Sequence, residues 1–106
     1  MLPTHSNARV FAALGDETRL RLVARLSHDG PMSIARLTTD HDMTRQAITK
    51  HLRVMAKAGL VRHTRRGRQR VWHLEPRRLA EARRHLEMIS AQWDVTLRRL
   101  KAFVET

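Results

Sequence analysis

The chain has 106 residues and 42% hydrophobic content, enough for a single domain over 1–106 at a size where roughly two-thirds of the unfolded surface is buried. Twenty-one Lys and Arg against ten Asp and Glu give a formal charge of +11, which attracts polyanions from a distance and makes nucleic acid the expected partner. No cysteine is present, so disulfides and thiolate chemistry are excluded. With no leader pattern at Met1-Leu2-Pro3-Thr4-His5-Ser6 and no apolar run of membrane-spanning length, a cytoplasmic, nucleoid-associated protein is expected; binding of the basic last helix to a membrane surface is a weaker reading, because Glu81, Glu87 and Asp94 intersperse its arginines.

The first helix is expected to start at Ser6 as N-cap, carry Val10, Phe11 and Leu14 on one face and break at Gly15. Asp16 caps a second helix with Glu17 in its first turn and an apolar stripe of Leu20, Leu22, Val23 and Leu26, ended by Ser27-His28-Asp29-Gly30-Pro31. Ser33 caps a short third helix with Ile34 and Leu37 inward, and Thr38-Thr39-Asp40-His41-Asp42 forms the next break. Thr44 caps a fourth helix over about 44–58, which buries Ala47, Ile48, Leu52 and Met55 and stops at Gly59. Two short helices across a tight turn are the pattern of a helix-turn-helix.

Leu60 to Thr64 and Gln69 to Leu74 flank Arg65-Arg66-Gly67-Arg68, so a hairpin, the wing, is expected over about 60–74. Pro76 opens a last helix over about 76–105, in which Leu79, Ala82, Leu86, Ile89, Trp93, Leu97, Leu100 and Val104 recur at steps of three and four. A helix of that length spans about 45 Å, against a radius of gyration of ~13 Å for a domain this size. A second copy is therefore expected to cover the stripe. The fold class is mainly α with a small β-hairpin: a winged helix-turn-helix, dimeric through its long C-terminal helix.

The exposed face of the fourth helix presents Thr44, Arg45, Gln46, Thr49, Lys50 and Arg53. Arg matches guanine and Gln matches adenine through paired hydrogen bonds, and the first turn of a recognition helix is the part that reaches base edges. Arg45, Gln46 and Thr49 are therefore the expected base readers, with Lys50 and Arg53 on phosphates. Arg65, Arg66, Arg68 and Arg70 surround Gly67 in the wing, where four cations suit a phosphate track or a minor groove better than packing. His51 is read as bonding backbone or contacting phosphate. Trp72 is expected in the core and Trp93 in a dimer seam made of Val10, Phe11, Leu14, Leu86, Ile89, Trp93, Leu97 and Leu100.

Leu14-Gly15-Asp16-Glu17-Thr18-Arg19 and Thr44-Arg45-Gln46-Ala47-Ile48-Thr49-Lys50-His51-Leu52, followed by Ala58-Gly59-Leu60-Val61, resemble the ArsR (ArsR/SmtB) family of bacterial repressors. The match extends over nearly the whole chain. This resemblance implies a homodimer held by its first and last helices that represses a promoter by occupying an inverted repeat. Metal-sensing members place cysteines on the third helix, whereas the matching stretch here is Ser33-Ile34-Ala35-Arg36-Leu37-Thr38, so a metal-free type with no cofactor is implied. Some relatives of that type are encoded beside a START-like ligand-binding protein. A small molecule, a partner protein or the protein's own concentration would then supply the signal.

Three other readings are weaker. A metal-responsive regulator would have to use Glu81, His85, Glu87 and Asp94 on the last helix, or His28, Asp29, His41 and Asp42 in the loops, at spacings unlike the usual ligand sets. An enzyme would need a nucleophile elbow, a phosphate loop or paired carboxylates, none of which the sequence offers. A winged-helix module for protein or RNA would present apolar anchors on the fourth helix, where Thr, Arg, Gln and Lys stand instead.

Overall fold

The computed structural model describes residues 3–39 and 42–105, with side chains from residue 7 onward. Five helices and three strands follow in the order α1 (Pro3–Leu14), α2 (Glu17–Asp29), β1 (Met32–Ser33), α3 (Ile34–Thr38), α4 (Arg45–Lys57), β2 (Val61–Arg66), β3 (Gln69–Leu74) and α5 (Pro76–Glu105). Helix α1 begins three residues before the expected cap, so Ser6 lies inside it. Pro3 fits a first turn, where its missing N–H costs no hydrogen bond.

The other caps stand where the sequence places them. Asp16 accepts from the Arg19 N–H at 3.0 Å, Ser33 from Arg36 at 3.3 Å and Thr44 from Ala47 at 3.1 Å. Each satisfies a first-turn donor that has no partner within its helix. The fold adds one element that the sequence reading lacks. Met32 and Ser33 pair antiparallel with Trp72 and Val71, so the wing hairpin becomes a three-stranded sheet in the order β1-β3-β2.

A continuous core gathers Val10, Leu22, Leu26, Leu37, Ile48, Leu52, Met55, Leu60 and Trp72 from α1 to α4 and the sheet. Two expectations about apolar faces are corrected by it. Leu20 is 52% exposed, because Leu22 and Leu26 set the buried line of α2 and a residue two positions earlier points to the opposite side. Val10 has 0% exposure, so it packs in its own protomer and has no surface left for a dimer seam. Phe11 and Leu14 are half-buried against the same core.

Gly59 ends α4 with φ of +80°, the left-handed conformation that closes many helices. A Cβ there would lie 2.8 Å from Nε of Arg78 on α5, a flexible side chain that can move aside, so it is the backbone conformation that demands glycine. Gly59→Ala is expected to lower unfolding stability by about 1–2 kcal/mol, checked by urea denaturation; an unchanged midpoint would show that the α4–β2 corner tolerates a side chain.

Helix α5 has 30 residues. Its first half packs on α1, where Asn7 meets His85 at 3.4 Å and the Phe11 ring lies 5.7 Å from that imidazole. Its second half leaves the body of the protein, and Leu86, Trp93, Leu97, Leu100, Phe103 and Val104 are all exposed. The extents of 67 × 33 × 20 Å and the radius of gyration of 17.8 Å reflect that projection.

Candidate nucleic-acid interface

One side of α4 is spent on the core through Ile48, Leu52 and Met55. At 3.6 residues per turn the opposite side gathers Arg45, Gln46, Thr49, Lys50 and Arg53 into one patch, and these five line a single concave surface. Thr44 stands just before this patch with its hydroxyl committed to capping. The Thr49 hydroxyl donates to the Arg45 carbonyl at 2.7 Å, which leaves its oxygen lone pairs and methyl for outside contacts. Among the described residues, Arg45, Lys50 and Arg53 have no ion-pair partner.

The patch is held in place by a tether that explains the Gly-Asp-Glu-Thr-Arg segment physically. Asp16 caps α2, and Arg19, whose N–H it receives, turns its guanidinium back onto the Ala13 carbonyl and reaches His51 Nδ1 at 3.2 Å. Asp16 itself lies 3.9 Å from that imidazole nitrogen. His51 thus joins α4 to the α1–α2 corner and does not reach outward. The Arg19 backbone N–H, with help from the Arg19 charge, holds the Asp16 carboxyl below its ordinary value of 3.8.

A carboxyl with a depressed folded pKa contributes stability that is present above the unfolded value and is lost as pH falls through the folded one. Thermal unfolding from pH 6 to pH 2.5 is therefore expected to show stability declining below about 3.8, with part of that slope absent in Asp16→Ala. An identical slope in both proteins would remove Asp16 from the account.

The wing is tighter than the sequence reading allows. Strand β2 extends to Arg66, so Arg65 and Arg66 lie on the strand and the loop is only Gly67-Arg68. Gly67 has φ of +64° and no non-glycine residue has positive φ among the described ones, the arrangement of a two-residue turn with glycine first. This register sets Arg65 directly across from Arg70. Like charges directly opposite in a sheet are destabilising, and among the described residues neither has an ion-pair partner to offset the repulsion. Arg62, at the base of the wing, is by contrast paired with Glu75.

Three residues of the wing escaped the sequence reading. His63 packs tilted against Trp72 with ring centroids 4.9 Å apart, and Thr64 shares a 2.8 Å hydrogen bond with His73 Nε2. Burial and the Arg62 and Arg66 charges lower the His73 pKa from 6.5, so His73 adds little positive charge to the wing at neutral pH. Only the strand register, which fixes cross-strand pairs, reveals these contacts.

From residue 44 to residue 74 there is no Asp or Glu, against nine Lys and Arg. The carboxylates lie elsewhere: Glu17 with Arg21, Glu81 with Arg78, and Glu87 with Arg83. Apart from Arg62, which pairs with Glu75, the cations of α4 and the wing therefore share a positive surface without a carboxylate in the same run. For the metal reading, His28 bonds Asp29 at 2.8 Å, Asp40 and His41 lie outside the described residues, and no group of three His, Cys, Asp or Glu among the described residues is placed to hold an ion. No described helix is long and apolar enough to cross a membrane.

Comparison with known proteins agrees with this geometry. A helix-turn-helix domain model matches residues 14–64. The HTH-type transcriptional regulator Rv2034 of Mycobacterium tuberculosis is 39% identical over 79 residues, 74% of this chain and 73% of the relative. The arsenical resistance operon repressor of Escherichia coli is 29% identical over 91% of this chain and 80% of its own length. An ArsR-like transcriptional regulator from Rhodococcus sp. RHA1 superposes with a TM-score of 0.79 at 36% identity, covering 94% of this chain and 93% of that one. By sequence and by fold, the chain belongs to the ArsR family of winged helix-turn-helix transcriptional regulators.

Proposed function

We propose that this regulator acts as a repressor: a homodimer that sets its two α4 helices into successive major grooves of an inverted-repeat operator, about 34–36 Å apart. Arg45, Gln46 and Thr49 read base edges, Lys50 and Arg53 bind phosphates beside them, and Thr44 fixes the start of the helix. Arg65, Arg66, Arg68 and Arg70 carry the wing along the neighbouring backbone or into a minor groove. The observation that carries this reading is the acid-free cationic surface shared by α4 and the wing. It includes the Arg65–Arg70 pair, whose repulsion a phosphate between them would relieve.

Repression is favoured by the similarity to an operon repressor. Dimerisation is favoured by the unpartnered stripe of α5, together with Phe11 and Leu14 at the edge of α1. Mapping of bound fragments across the genome tests the reading: enrichment of a two-fold symmetric sequence over promoters is expected. Enrichment of RNA, or of duplex DNA without sequence preference, would overturn it.

A further inference from the structure

Between α1 and the C-terminal half of α4 lies a cleft of about 480 Å³, lined by Arg9, Ala12, Ala13, Val54, Lys57 and Ala58. That volume falls within the range of small-molecule sites. Three of the lining residues are alanines, whose side chains stop at Cβ, so the space between the two helices stays open. Val54 adds a partly exposed isopropyl group from the recognition helix itself.

Arg9 and Lys57 stand exposed at the rim. Among the described residues neither has an ion-pair partner, and no carboxylate lines the cleft. An apolar floor that shares its cleft with two unneutralised cations is complementary to a molecule that is apolar along its length and anionic at one end.

We propose that this cleft binds a medium-chain alkyl monocarboxylate, with its chain against Ala12, Ala13, Val54 and Ala58 and its carboxylate between Arg9 and Lys57. The site lies where a ligand can act on DNA binding. Helix α1 packs on α5, α4 carries the recognition patch, and the cleft is the gap between them. Lys57 also belongs to the acid-free cationic run from residue 44 to residue 74. Occupancy neutralises part of that charge, so it lowers duplex affinity. This consequence rests on the reading of the chain as a DNA-binding regulator, whereas occupancy itself does not.

The test is calorimetric titration of the full chain with octanoate, alongside octanol, which lacks the charge, and acetate, which lacks the chain. Saturable octanoate binding with a Kd below about 1 mM is expected, with octanol and acetate at least about tenfold weaker. Ala12→Trp fills the cleft from an exposed position and is expected to abolish octanoate binding while leaving duplex affinity within about twofold. Arg9→Gln and Lys57→Gln are each expected to weaken octanoate about tenfold. Saturating octanoate should lower duplex affinity roughly fivefold or more.

No saturable binding, equal binding of octanol, or binding that survives Ala12→Trp overturns the site. If Ala12→Trp yields monomers, a second copy covers the cleft, and if it abolishes duplex binding, the cleft faces phosphates; either result overturns the proposal. Octanoate binding is read without DNA, so its failure leaves the DNA reading standing.

Discussion

Arg45→Ala is expected to weaken operator binding by about 1–3 kcal/mol, roughly five- to 150-fold, with a much smaller loss on random duplex. Arg45 is the first residue of α4 and exposed, and its guanidinium has no ion-pair partner among the described residues. Its forked guanidinium is therefore available at the end of the helix that enters a groove first. Gln46→Ala should give the same signature at an adenine position. Arg66→Ala and Arg70→Ala should behave oppositely, weakening all duplexes alike and reducing the slope of log affinity against log salt by about one for each phosphate no longer bound. Arg70→Ala carries a further mark: it removes the cation opposite Arg65, so thermal stability of the free protein should hold or rise while DNA affinity falls. Fluorescence anisotropy over a salt series, with operator and scrambled duplex, separates the two classes. Equal losses on both duplexes from Arg45→Ala and Gln46→Ala would remove these residues from base reading.

What the sequence made legible was whatever depends on near neighbours. Caps at Asp16, Ser33 and Thr44 act within three residues, and the buried face of α4 follows from a 3.6-residue period, so both can be read along the chain. The cationic outer face of α4 was legible for the same reason, as the complement of Ile48, Leu52 and Met55. Strand β1 was hidden because a two-residue element is too short to show alternation and exists only through its pairing with β3. The role of His51 was hidden because its partners, Asp16 and Arg19, come from a distant turn. The opposition of Arg65 and Arg70 depends on a loop two residues long, whereas composition alone suggested a longer cationic loop. Val10 shows the remaining limit: period assigns a side chain to an apolar face, but which of two partners that face meets is decided by packing.

Leu86→Asp combined with Trp93→Asp is expected to convert the protein to monomers and to lower operator affinity by at least about 100-fold, because a monomer brings one recognition helix to a two-fold site. The spacing of the α5 stripe indicates how two copies meet. Leu86, Ile89, Trp93, Leu97 and Leu100 are separated by steps of three, four, four and three, a pattern that reads the same from either end. At about 100° per residue all five lie within about 40° of Trp93 on the helix surface. An antiparallel pair with its two-fold axis at Trp93 sets Leu86 opposite Leu100 and Ile89 opposite Leu97, apolar against apolar throughout. Trp93 is 59% exposed in the protomer and Leu86 is 53% exposed. Aspartate at either position is therefore solvated in the monomer, so folding should survive, while in the seam each would be a buried, unpaired charge. The chain has no cysteine, which permits a direct check of register. Trp93→Cys should form an intermolecular disulfide under mild oxidation, since bridged Cα atoms must lie within about 7 Å. Leu86→Cys should cross-link only when mixed with Leu100→Cys, because two copies of Leu86 would stand about 21 Å apart along the axis. Self-cross-linking of Leu86→Cys would mean parallel helices, and an unchanged sedimentation coefficient in the double aspartate variant would remove α5 from the dimer altogether.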